Sequence, residues 1–275
     1  MIKKYAWIGL SVLVFSCGNE TEKGASDNEN TTNTSNPAPA AMGYTVVKVF
    51  PHDTSSYTQG LIWHNNALYE GTGREGFSRL AKLNLESGKA EQQELIAKNE
   101  FGEGITILNN KIYQLTWQNH KVHVYDLATF KKIEEFTWDY EGWGITTDGK
   151  SLIISTGSSN LYFVDPATFK IIKTVGVTNN YGPVENLNEL ELVNGFVYAN
   201  KYLTNYILKI NPETGKVEAM LDLQDIFQKS GKTYDQGSIP DPDQDVLNGI
   251  AFNAATNTFY VTGKQWPALF EIKLN

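Results

Sequence analysis

The chain has 275 residues and a mass of 30.7 kDa, with 41% apolar and 20% charged residues, enough for one large domain or two ordinary ones around a sizeable core. A net charge of −8 argues against a nucleic-acid binder and against a polybasic membrane surface, since both need a basic face. A single cysteine excludes an internal disulfide and CxxC metal sites, and four histidines are a poor basis for a His-rich catalytic zinc centre.

In chain order, Lys3 and Lys4 form a positive start, followed by an apolar run over residues 8–15 that is too short to span a bilayer. Val14-Phe15-Ser16-Cys17 resembles a bacterial lipobox, although Phe15 is bulky for its place. The pattern predicts a signal peptide at 1–16 and lipid on the Cys17 thiol. Residues 17–43 are rich in Asn, Thr, Ser, Ala and Pro, the composition of a flexible tether. The expected arrangement is an exported domain, lipid-anchored to a bacterial membrane through Cys17 only and facing the periplasm.

From residue 44 onward the sequence repeats. A short apolar run recurs at Gly60-Leu61, Gly104-Ile105, Gly144-Ile145, Glu189-Leu190 and Gly249-Ile250, at the spacing of propeller blades. A tight polar turn follows each: Asn65-Asn66, Asn109-Asn110, Asp148-Gly149, Asn194-Gly195 and Thr256-Asn257. Second and third strands come next, and a second turn such as Glu213-Thr214-Gly215-Lys216 leads to a fourth. The fifth unit stops after its third strand. Residues 44–50 form a spare alternating strand, so they are expected to complete the last blade and close the ring. The predicted fold is all-β, a five-bladed propeller of four-stranded antiparallel blades. One short helix is expected near 223–229, and residues 230–245, broken by Pro240 and Pro242, form an insertion.

Hairpin geometry brings the start of each first strand and the end of each second strand to one mouth. Aligned repeats give a first ring of Gln59, Glu103, Trp143, Glu189 and Asn248, and a second of Gly73, Trp117, Gly157, Tyr202 and Lys264. Glu70 projects from a second strand. Carboxylates, carboxamides, indoles and a cation meeting there would make a polar pocket with stacking walls. His120 and His123 lie three apart on a strand, hence on opposite faces, and make poor joint metal ligands. Asp241, Asp243 and Asp245 have calcium-like spacing but lack the Gly and Glu of an EF-hand loop. On residue chemistry alone, three readings remain open. They are an enzyme, a non-catalytic lipid-tethered peptide-binding propeller, and a metal-dependent lactonase-like hydrolase using Glu103 and Glu189.

The motifs Tyr57-Thr58-Gln59-Gly60, Tyr69-Glu70-Gly71-Thr72-Gly73, Leu115-Thr116-Trp117 and Gly142-Trp143-Gly144 are similar to those of the plant and bacterial type of glutaminyl-peptide cyclotransferase. So are Asn188-Glu189-Leu190-Glu191, Leu247-Asn248-Gly249-Ile250 and Thr262-Gly263-Lys264-Gln265-Trp266-Pro267. Tyr57 stands where Phe is expected, and Tyr202 where the family often carries Trp. The resemblance implies conversion of N-terminal glutamine of peptides or proteins to pyroglutamate with release of ammonia, with no cofactor for catalysis; a monomer is the separate expectation for its assembly. A structural calcium would be compatible with it. The resemblance places the catalytic carboxylate on Glu70 and assigns Lys264, Gln59 and Asn188 to hydrogen bonding with substrate and intermediate. Trp117 and Trp143 are the expected walls, with Tyr57, Tyr69, Tyr202, Trp266, Asn248 and Glu189 as further substrate contacts.

Overall fold

A computed structural model describes residues 37–233 and 246–275. The expected signal peptide, Cys17, the first part of the tether and the Asp241, Asp243 and Asp245 series lie outside the described residues.

The chain opens with β1 (Ala40–Met42) and β2 (Tyr44–Pro51). Blade one is β3 (Thr58–His64), β4 (Ala67–Thr72), β5 (Arg79–Asn84) and β6 (Lys89–Leu95). Blade two is β7 (Gly102–Leu108), β8 (Lys111–Thr116), β9 (Lys121–Asp126) and β10 (Lys132–Thr137). Blade three is β11 (Ile145–Thr147), β12 (Leu152–Ser155), β13 (Asn160–Val164) and β14 (Ile171–Gly176). A small hairpin of β15 (Thr178–Asn179) and β16 (Gly182–Pro183), not foreseen from the repeat, precedes blade four. That blade is β17 (Leu187–Val193), β18 (Phe196–Lys201), β19 (Tyr206–Ile210) and β20 (Val217–Asp222). The helix α1 (Ile226–Lys229) leads toward blade five, β21 (Leu247–Asn253), β22 (Thr258–Gly263) and β23 (Ala268–Leu274).

Each blade pairs its strands antiparallel in sequence order, and β2 pairs with β23 from Tyr44↔Leu274 to Pro51↔Ala268. The five-bladed ring is thus closed by the N-terminal strand. Residues 40–42, expected within the tether, instead form a strand. Ala40–Met42 runs parallel to β20 and covers the outer edge of blade four.

The first-turn asparagines adopt the left-handed backbone that tight hairpins require: φ is 48° and 60° at Asn65 and Asn66, and 53° and 60° at Asn109 and Asn110. Phe130 and Phe169 also have positive φ, in the place that Gly88 and Gly215 hold in other blades. Both rings are buried between blades, and that packing compensates the backbone strain. Strand alternation sends apolar side chains into five clusters, one at each junction between neighbouring blades. Examples are Leu68 with Leu269 between blades one and five, and Leu161 with Leu208 between three and four.

The first strands crowd around the central axis. A Cβ on Gly104 would lie 2.6 Å from the Trp143 carbonyl and 2.9 Å from Gly144 Cα, so only glycine fits there. Blade four carries Glu189 in this place.

Candidate active site

First strands enter the ring through bulges. Pairing register slips between Thr58 and Gly60, Gly102 and Ile105, Leu187 and Leu190, and Leu247 and Ile250. A bulge leaves a residue unpaired and re-aims its side chain. The re-aimed residues include Gln59, Glu103, Asn188 and Asn248. Trp143 holds the corresponding place ahead of β11.

Gln59, Glu103, Trp143 and Asn188 line a cavity of about 210 Å³, completed by Tyr57, Phe101, Trp117, Tyr202 and Lys264. Trp117, Tyr202 and Lys264 stand immediately after β8, β18 and β22, so the two aligned rings do meet at one mouth. The glycines of the second ring make room for neighbours: a Cβ on Gly157 would lie 2.6 Å from the Trp143 ring, and one on Gly73 would run into Phe101.

The walls are interlocked aromatics. Phe101 meets Tyr57 edge-on at 5.9 Å and Trp117 at 5.7 Å, and Trp143 meets Tyr202 at 5.4 Å. Lys264 Nζ sits 4.6 Å from the Tyr57 ring centre and 4.7 Å from that of Tyr202, a cation between two π-faces. Among the described residues Glu103 is the one carboxylate lining the cavity, and Gln59 Nε2 donates to its Oε1 at 2.8 Å. Burial pushes the Glu103 carboxyl well above the usual carboxylate range; nearby Lys264 pulls it down and Glu141 adds to the rise. Asn188 also lines the cavity, and its Oδ1 is buried without a hydrogen-bond partner.

Several expected site residues lie elsewhere. Glu70 is outside the cavity, fully buried behind it. Its Oε1 accepts from His52 Nε2 at 2.9 Å and Thr58 Oγ1 at 2.7 Å, and its Oε2 from Ser56 Oγ at 2.9 Å. His52 Nδ1 faces the Trp266 carbonyl at 2.8 Å. Both ring nitrogens therefore face acceptors, which requires the doubly protonated imidazolium. Burial alone would push His52 down, yet Glu70 holds it above its ordinary value. Burial would likewise push Glu70 up, but His52, Thr58 and Arg79 hold it below. Glu70 is thus an ionised structural partner of His52, and no Glu70–Lys264 pair forms.

Glu189 fills the glycine place on the crowded axis. Its Oε1 accepts from Leu61 N at 3.1 Å and its Oε2 from Ile250 N at 2.8 Å, satisfying inner-edge amides of blades one and five. The equivalent of Gln59 and Glu103 in blade four is therefore Asn188, one residue before Glu189. Asn248 lies behind Gln59, donating to its Oε1 at 3.1 Å and to Thr58 O at 3.0 Å. Tyr69 packs against Phe130 between blades one and two, and Trp266 packs against Phe227 and Phe270 in the core. Phe101 was not anticipated, though it precedes Glu103 by two residues as Tyr57 precedes Gln59, and that period of two was legible.

These parts make a small aromatic-walled cavity, with a buried carboxyl and a cation, at the mouth of a five-bladed propeller enzyme. The chain belongs to the glutamine cyclotransferase family, whose model matches residues 19–274. It is 38% identical over 231 residues to a glutaminyl-peptide cyclotransferase of Arabidopsis thaliana, covering 83% of this chain and 70% of that protein. The crystal structure of Myxococcus xanthus glutaminyl cyclase superposes with a TM-score of 0.79 at 32% identity, covering 86% of this chain and 98% of that one.

Proposed function

We propose that the mouth of this propeller carries out its family's reaction, cyclising N-terminal glutamine of peptides to pyroglutamate with release of ammonia, and that Glu103 carries the proton. In this reaction the α-amine attacks the side-chain carboxamide carbon, a ring C–N bond forms, and the amide C–N bond breaks. A proton must leave the attacking nitrogen and another must reach the departing one, and one carboxylate can do both. The observation that carries this reading is the Gln59–Glu103 hydrogen bond inside the aromatic cavity, which fixes the cavity's carboxylate while burial raises its proton affinity. A proton carrier works best with its pKa near the working pH, and the raised carboxyl moves that way. Lys264 supplies a positive charge for the oxyanion of the tetrahedral intermediate. Asn188 Oδ1 accepts an N–H of the substrate, and Trp117 and Trp143 hold the glutamine side chain against its own amine.

Catalysis needs no metal in this scheme. The donor set of the cavity favours this, since the described residues of its lining include no His or Cys and a single carboxylate. Among the described residues no group of three or more His, Cys, Asp or Glu side chains could hold a metal ion. The test is ammonia release from a short Gln-initiated peptide in EDTA, with Glu103→Gln alongside. Wild-type turnover with a product lighter by one ammonia, and loss of about 10²-fold or more in the variant, is expected. Near-normal turnover of a folded Glu103→Gln protein would remove Glu103 from the chemistry, and a requirement for added metal would remove the metal-free scheme.

The same reading places the enzyme on a bacterial membrane by lipid on Cys17, facing the periplasm as a monomer. Support comes from Lys3, Lys4, the apolar run at 8–15 and the position of Cys17. Cys17→Ser should shift the protein from the detergent phase to the aqueous phase; unchanged partitioning would sink the anchor.

A further inference from the structure

The cavity wall is braced from behind by Glu141. Its Oε2 accepts the indole N–H of Trp117 at 2.8 Å and that of Trp143 at 3.0 Å, while its Oε1 accepts from Gln118 Nε2 at 2.9 Å. Trp117 belongs to the end of β8 in blade two and Trp143 to the entry of blade three, so one oxygen ties the walls of two blades together. The backbone around Glu141 is also pinned. Trp138 Nε1 donates to the Glu141 carbonyl at 3.3 Å, and Gly142 N reaches the carbonyls of Thr116 and Trp117 at 3.2 Å each.

Packing alone does not hold the Trp117 ring, which is 38% exposed. What fixes its plane is a hydrogen bond to a charged acceptor, stronger than a neutral one. Burial would push the Glu141 carboxyl up, but the bonds from Gln118, Trp143 and Trp117 outweigh it and keep the group ionised. The place of Glu141 in the repeat is also unusual: it precedes Trp143 by two residues, where blades one and two carry Tyr57 and Phe101.

We propose that Glu141 is a positioning residue that locks Trp117 and Trp143 at the separation needed to fold the glutamine side chain onto its own amine. This rests on the cyclotransferase reading of the cavity. Losing the lock leaves the reacting groups in place but loosens the near-attack geometry, so the cost falls on turnover more than on the fold.

The experiment compares wild type, Glu141→Ala and Glu141→Gln in the full chain, reading kcat, KM, melting temperature and acrylamide quenching of tryptophan emission. Expected are a melting temperature within a few degrees of wild type, stronger quenching, and a fall of about tenfold or more in kcat. If Glu141→Ala does not fold, Glu141→Gln, with the same volume and one acceptor oxygen, carries the test. A double-mutant cycle with Trp117→Phe isolates the route: with that donor gone, Glu141→Ala should cost at least threefold less than it does in wild type. Equal costs in both backgrounds, or freed indoles with kcat and KM within twofold of wild type, would overturn the proposal. An inactive, folded wild type would instead overturn the cyclotransferase reading on which it rests.

Discussion

Gln59 Nε2 lies 2.8 Å from Glu103 Oε1, and Gln59 Oε1 receives Asn248 Nδ2 at 3.1 Å. Asn248 thereby fixes which way the Gln59 amide points, and Gln59 in turn presents an N–H to the carboxylate, favouring its ionised form.

Removing that donor should push the Glu103 carboxyl further up. Gln59→Leu is expected to move the acid limb of the kcat/KM profile to higher pH and to lower turnover at neutral pH by about tenfold. Asn248→Ala should act in the same direction, more weakly. A pH–rate profile of each variant checks this, and an acid limb unmoved in Gln59→Leu would mean that the limb reports another group.

The His52–Glu70 pair predicts a stability profile with two edges. Glu70 titrates below its ordinary 4.5 in the folded chain, so its contribution is present above pH 4.5 and lost as pH falls through the folded value. His52 titrates above its ordinary 6.5, so its contribution is full below pH 6.5 and lost as pH rises through the folded value. Both are complete between pH 4.5 and 6.5. Breaking a buried pair by neutralising one partner costs roughly 3–5 kcal/mol. Glu70→Gln should therefore lower the melting temperature most in this window, by about 10 °C for a domain of this size. Melts from pH 4 to 9 test this, and a variant matching wild type at pH 5.5 would contradict the pair's role.

Glu191 acts with the opposite sign to Glu70. Burial raises its carboxyl to about 8, partly offset by bonds from Phe252 N and Thr146. Between pH 4.5 and 8 the folded chain keeps a proton that the unfolded chain has released, so this group's contribution declines as pH rises and is gone above the folded value. Glu191→Gln mimics the protonated form. Relative to wild type it should gain little at pH 4.5 and roughly a few kcal/mol by pH 9, read as a growing gap in melting temperature. A gap that is constant with pH would exclude Glu191 as the titrating group.

The repeat made the propeller legible because blade period, turn asparagines and alternation all point the same way. It also located Gln59, Trp117, Trp143, Tyr202 and Lys264, whose places follow from hairpin ends. The choice between Glu70 and Glu103 was a different matter. Both are carboxylates near the mouth in linear terms, but Glu103 sits inside the bulge between Gly102 and Ile105, whereas Glu70 pairs regularly opposite Leu61. Simple alternation cannot register such a slip. A one-residue offset also explains why the aligned ring takes Glu189 in blade four, although Asn188, expected on the family motif, is the residue that lines the cavity. There Glu stands in the glycine place, and its function is to cap amides across the axis. The clasp of Glu70 needed His52, 18 residues upstream on the far side of the ring closure, a partner that no local pattern announces.

The closing strand has a consequence in time. Thr45 Oγ1 donates to Asn275 Oδ1 at 3.1 Å across 230 residues of sequence. The first strand to be synthesised in the ring therefore waits for the last before it can pair. Such contacts form late, because a long loop must be closed before they return any energy. His52 follows that strand directly and bonds the Trp266 carbonyl, two residues beyond Lys264. Lys264 is anchored by the same event that seals the ring, so blades one to four can stack while the cavity is still incomplete. Competence arrives in one step at the end of folding.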